Sequence, residues 1–175
     1  MPSVRSITRS IRDIRQGTNI SAQFNNLSDI NFPDGVSIWN GEDILKFDSG
    51  PEDVNRFLIF STDNLLNLVT QDSQIHCDGT FSVCPRIFAQ LYMFGTMVRG
   101  TLIPVAYVLL PGKSRQIYQN SFEAFKTLIR DINPQSFMLD LEIGAISVIQ
   151  QKWPDSEINT CFFHFCQVTL KLDIV

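Results

Sequence analysis

The sequence has no apolar run near the roughly 18 residues needed to cross a bilayer. Its longest candidate, Leu102 to Leu110, is strand-sized and interrupted by Pro104, so no membrane partner is expected. Met1-Pro2-Ser3-Val4-Arg5-Ser6 lacks the apolar core of a secretory signal. Cysteine is scarce: Cys77, Cys84, Cys161 and Cys166. Without a signal these are expected as reduced thiols and not as a disulfide framework. Internal repeats and low-complexity tracts are missing. Charged residues are few, at 18% against 44% hydrophobic, which excludes wholesale disorder. A basic excess is missing too. The net charge of −4 argues against a simple electrostatic nucleic-acid binder. That argument is blunted by an uneven distribution. Residues 1–16 carry Arg5, Arg9, Arg12 and Arg15 against Asp13, a net of +3, leaving −7 for the rest.

What is present fits one domain with a short arm. The chain has 175 residues, enough to bury a core without staples, and its fourteen Phe point to a dense aromatic interior. Val4, Ile7, Ile11 and Ile14 form one helical stripe, and Arg5, Arg9 and Arg12 another, until Gly17 ends the pattern. Two readings stand side by side: a docked amphipathic helix with a solvated arginine face, or an arm that contacts nucleic acid. Residues 17–56 are loop-rich, with extended pieces at 36–39 and 44–47 and a turn at Asp48-Ser49-Gly50-Pro51. Phe57 to Phe60 is a short strand, and 62–69 a helix capped by Ser61 or Thr62. The regular part then predicts strands at 73–81, 88–98, 101–110, 136–140 and 158–163. A helix from Ser114 to about Ile132 carries the stripe Tyr118, Phe122, Phe125, Ile129 and Ile132, and a second spans 142–152. A last helix starts near His164. The order β-β-β-α-β-α-β-α implies an α/β domain with a mixed five-stranded sheet: an antiparallel meander, then two parallel strands reached through helices.

Two acids lie at predicted strand ends, Asp78 and Asp140. If the two strands are neighbours, their backbones lie about 4.8 Å apart. Carboxylates that close repel unless a cation separates them, and Mg²⁺ takes hard oxygen ligands. The competing reading is that each acid caps the following turn or helix. Cys161 and His164 form a Cys-x-x-His with zinc-like spacing. Only His76, Cys77 and Cys84 are available to complete a four-ligand site, at no recognised spacing. A buried thiol and a hydrogen-bonded imidazole is the plainer reading. A cysteine nucleophile lacks an evident group to orient His164.

Several segments together resemble MULE-type (Mutator-like) transposases. They are Asp78-Gly79-Thr80-Phe81, Cys84-Pro85, Phe88 to Tyr92, Ile103 to Ser114, Tyr118, Met138 to Ile146, Trp153-Pro154 and Cys161 to Phe165. Ile11 to Gln16 and Asp29 to Pro33 resemble the lead-in of animal members. The resemblance covers nearly the whole chain in order and spacing. It implies a lead-in over 1–56 and a ribonuclease H-like domain over 57–175, in which the first and fourth strands are adjacent. It implies that Asp78 and Asp140 are the first two acids of a DDE triad working with Mg²⁺ or Mn²⁺. The implied reaction is DNA strand cleavage and transfer at transposon ends, in the nucleus, with a homo-oligomer possible. Arg5, Arg9 and Arg12 are then candidate DNA contacts, and Cys161 and His164 match the family's C-x-x-H, with a supporting role. The family's third acid is a Glu on a helix beyond the last strand. Only Asp173 is acidic among the eleven residues after His164, so the chain is expected to be an incomplete or inactive fragment, its last helix truncated. The alternative is a domesticated, non-enzymatic DNA-binding or protein-interaction module.

Overall fold

A computed structural model describes residues 25–31, 38–39, 41–80 and 83–160. The predicted helix over 4–15, with Arg5, Arg9 and Arg12, lies outside the described residues. So do Cys161, His164 and the helix predicted after them. Strands β1 (Ile38–Trp39) and β2 (Glu42–Asp43) form a separate two-stranded sheet. Then come β3 (Leu45–Asp48), β4 (Leu58–Phe60), α1 (Asp63–Leu66) and β5 (Gln74–Thr80). β6 (Gln90–Val98), β7 (Thr101–Leu110), α2 (Arg115–Leu128), β8 (Ser136–Leu139), α3 (Ile143–Lys152) and β9 (Glu157–Thr160) follow.

The main sheet runs β3-β4-β7-β6-β5-β8-β9, seven strands where the sequence predicts five. β4 pairs antiparallel with β7 (Leu58↔Leu109, Phe60↔Tyr107), and β3 pairs with β4. The short strand expected at Phe57–Phe60 and the extended piece at 44–47 are both present, but their place in the sheet is not legible: each holds only three or four residues, and β4 finds its partner about fifty residues away. The five predicted strands behave as expected. β5, β6 and β7 form an antiparallel meander, while β5–β8 and β8–β9 pair in parallel. The β6–β7 turn places Arg99 at φ 49° and Gly100 at φ 80°. Two left-handed residues give the turn twist that suits a two-residue hairpin. β7 continues across Pro104, but its pairing with β6 shifts register there, because proline has no N–H for the ladder.

Two apolar layers flank the sheet. Ile59 and Val108 belong to the large core, whereas their chain neighbours Leu58 and Leu109 belong to a smaller cluster with Ile30 and Phe88. Alternation along a strand puts the two clusters on opposite faces. α2 supplies the large core with Tyr118, Phe122 and Phe125, and Phe125 stacks on Phe94 of β6 at 3.9 Å between ring centres. Ser114 caps this helix, its Oγ accepting from the Ile117 amide at 3.3 Å. The helix ends at Leu128, short of the predicted Ile132. Arg130 and Asp131 take φ of 57° and 55°, and the Asp131 amide closes back on the Lys126 carbonyl at 2.9 Å. Trp153, wholly buried after α3, packs against Phe137 of β8 and donates its indole N–H to the Ile132 carbonyl at 3.1 Å.

Candidate active site

Position along the sheet decides what the two acids can do. β5 and β8 are parallel neighbours with Gln74↔Ser136, Ile75↔Phe137 and His76↔Met138 in register. The same register, continued two residues past the last pair, sets Asp78 level with Asp140 at the carboxyl side of the two strands. Carboxyl ends of parallel strands are where open α/β sheets present their ligand crevices. Ile75, Cys77, Phe137 and Leu139 fill the core, while Asp78, on the alternate parity, is exposed. Asp78 does not cap a turn, since β5 continues through Gly79 and Thr80. Asp140 is the first residue past β8 and is half-buried. Its Oδ1 accepts the Glu142 amide at 3.3 Å, so the turn-capping reading of this residue is realised as well.

Behind the acids lies a buried polar layer. The Tyr118 hydroxyl accepts from Gln90 Nε2 at 2.6 Å, and both residues are fully buried. Burial, and then the neighbouring Glu142 carboxylate, hold the Tyr118 phenol well above its ordinary pKa. Burial is also the main force raising the Tyr92 phenol and the Cys77 thiol, and the Asp140 charge pushes both in the same direction. Cys77 therefore stays a neutral thiol, neither nucleophile nor anionic ligand. Burial lowers the His76 pKa, so the imidazole beside Asp78 in sequence favours its neutral form. Glu142 Oε1 lies 3.1 Å from Lys113 Nζ. Among the described residues, Gln90 Oε1, the Tyr92 hydroxyl and Glu142 Oε2 are buried without a well-formed hydrogen bond, although the Tyr92 hydroxyl still interacts with the Cys77 thiol and the Tyr118 hydroxyl with the Glu142 carboxylate.

No group of three or more His, Cys, Asp or Glu side chains is arranged to hold a metal among the described residues. The donors that are present still fit a hard cation. Mg²⁺ is commonly held by one or two carboxylates, with water and substrate phosphate completing its shell.

Sequence reasoning paired Asp78 with Asp140 but missed the layer behind them. Tyr118 reads as a core-stripe residue and Gln90 as part of an apolar strand. The available signal was Gly79: a Cβ there would approach Gln90 Oε1 to 2.9 Å. Nor does any helix among the described residues reach the length and apolarity needed to cross a membrane.

Fold and site together define an α/β domain whose central parallel strands present a pair of acids at their carboxyl edge. The family model for the MULE transposase domain matches residues 74–168, spanning β5 and extending past β9. The chain belongs to the MULE transposase domain family and is transposase-derived. Comparison with curated proteins and with solved structures gives no match.

Proposed function

We propose that Asp78 and Asp140 together hold a divalent cation, Mg²⁺ or Mn²⁺. In this reading the domain descends from a nuclear enzyme that cleaves and transfers DNA strands at transposon ends. The observation that carries it is the β5–β8 register, which brings the two acids abreast. A ribonuclease H-like architecture is part of the same reading. Its support is the inner strand order β7-β6-β5-β8-β9, where the first and fourth strands of the five are adjacent. When bound, the cation supplies Lewis-acid activation of an attacking oxygen and neutralises charge on the leaving oxygen of a phosphodiester.

The chain's own residues prepare the site. Asp78 presents its carboxylate to solvent, where a nucleic-acid phosphate can approach. Asp140 is restrained by the Glu142 amide. Cys77 and Tyr92 stay neutral beneath them, so they neither add negative charge nor compete as ligands. The expected behaviour is metal binding with little or no strand transfer. Isothermal titration with Mn²⁺ tests the site. Binding by the wild type that disappears in Asp78→Ala supports it. No binding by the wild type overturns it and favours a non-enzymatic DNA-binding or interaction module. Supercoiled-plasmid nicking with Mg²⁺ tests the activity. Nicking that is lost in Asp140→Asn would overturn the expected inactivity while retaining the site.

A further inference from the structure

The polar layer behind the acids is more than the core needs. Gln90 and Tyr118 are wholly buried and bonded to each other, yet Gln90 Oε1 is unpartnered. Glu142 occupies the N-cap of α3, but its side chain makes no capping hydrogen bond. Its carboxylate reaches Lys113 through Oε1 and buries Oε2 without a well-formed hydrogen bond, against the Tyr118 hydroxyl whose pKa it raises. Burying a carboxylate with so few well-formed hydrogen bonds is unfavourable, and apolar side chains would fill the same space without that penalty. Helix capping does not account for the arrangement. A buried carboxylate that fixes its own backbone does.

We propose that Glu142 is the positioning residue of Asp140. Lys113 holds the Glu142 side chain from the solvent side, and Tyr118, braced by Gln90, walls it from within. That fixes residue 142 at φ −81° and ψ 97°, and so aims its amide at Asp140 Oδ1. Gly79, alongside on β5, leaves the volume that Gln90 Oε1 needs. Glu142 acts through Asp140 and is not itself assigned as a metal ligand. The inference rests on Asp140 being half of the metal-holding pair.

The test separates the two claims by using one readout that needs no metal. Amide exchange at residue 142, followed by NMR in metal-free protein, is compared for wild type, Glu142→Ala and Glu142→Gln. Glu142→Ala should speed exchange at that amide roughly tenfold or more while the Ile75 and Phe137 amides keep their protection. Mn²⁺ affinity should fall by about 10–100-fold, the usual cost of losing a group that orients a metal ligand. Glu142→Gln, with the same shape, should recover most of both. If Glu142→Ala loses protection in the core amides, Lys113→Met removes the outer tie alone and is read the same way. Unchanged exchange and unchanged affinity in a folded Glu142→Ala or Lys113→Met protein overturn the proposal. Faster exchange in a protein whose wild type binds no Mn²⁺ retains the positioning role and sinks only the metal reading.

Discussion

Two charged pairs tie this domain together in different ways. At the outer edge, Arg56 is 4% exposed and fully engaged. Its Nε and Nη2 donate to the two Asp48 oxygens at 2.8 and 2.5 Å, and its Nη1 donates to the Leu27 and Ile30 carbonyls at 2.9 and 3.0 Å. Asp48 Oδ1 also accepts the Gly50 amide at 2.8 Å. The planar guanidinium meets a matching set of acceptors, which is what a buried ion pair needs to offset its desolvation. At the carboxyl edge the pair is Lys113 and Glu142, with Lys113 about half exposed and, among the described residues, Gln90 Oε1, the Tyr92 hydroxyl and Glu142 Oε2 buried around it without a well-formed hydrogen bond. The first pair is a staple joining the 25–31 segment to the β3–β4 loop. The second leaves acceptor capacity unused beside two acids. Full partnering marks structure, and partial partnering marks where chemistry is to be sought.

The largest effect should separate the two pairs by stability. Arg56→Met strands the Asp48 carboxylate and two carbonyls, and should cost about 3–5 kcal/mol in urea unfolding. Lys113→Met should cost at most about 1 kcal/mol, as expected of a half-exposed ion pair. Equal costs would break the comparison and make the carboxyl-edge pair a staple as well.

An intermediate effect belongs to Gly79. An added Cβ would meet Gln90 Oε1 at 2.9 Å and displace the amide that bonds Tyr118. Gly79→Ala should therefore cost about 1–3 kcal/mol, the range for a buried polar group left unsatisfied. Its φ is ordinary, so the penalty comes from crowding and not from backbone strain. An unchanged urea midpoint would mean that the polar layer has slack, and would weaken the case that it is shaped for a purpose.

How much of this is legible beforehand follows from locality. The β6–β7 hairpin, the Ser114 cap and the stripe on α2 are local patterns, and the sequence shows them directly. The adjacency of Asp78 and Asp140 is non-local. It becomes readable only through the β-β-β-α-β-α-β order and the family resemblance. The register that brings the two acids abreast is a property of the sheet. β3 and β4 are legible as short extended pieces, but not as members of the main sheet, because a three-residue strand such as Leu58-Ile59-Phe60 looks the same paired or unpaired. Arg56 sits unremarked in a loop-rich stretch, since nothing nearby in sequence announces the Leu27 and Ile30 carbonyls it joins. Gln90 and Glu142 are hidden for the opposite reason. Gln90 reads as a polar position inside an apolar strand and Glu142 as a surface residue at the start of a helix, and only three-dimensional packing shows Gln90 and the Glu142 Oε2 atom to be buried.

The smallest effect concerns pH and bears on the staple alone. Burial alone would raise the Asp48 pKa, but the Arg56 guanidinium and the Gly50 amide outweigh it and hold the carboxyl below its ordinary 3.8. A folded-state pKa below the unfolded one means that folding favours the charged form. The resulting stability is fully present above about pH 4, the unfolded carboxyl value, and is lost as pH falls through the lower folded value. Arg56→Met removes the main cause of the depression. Beyond its overall destabilisation, the variant should show a shallower loss of stability between about pH 4 and pH 2 than the wild type, measured by urea midpoints. Glu42 is also held low, by the Asp63 amide and Lys46, but it is more exposed, and its share should fade in high salt. Repeating the series in 1 M NaCl isolates the Asp48 share. A slope difference that vanishes there would show the staple to be no better shielded from solvent than an ordinary surface pair, and would remove half of the contrast with the carboxyl edge.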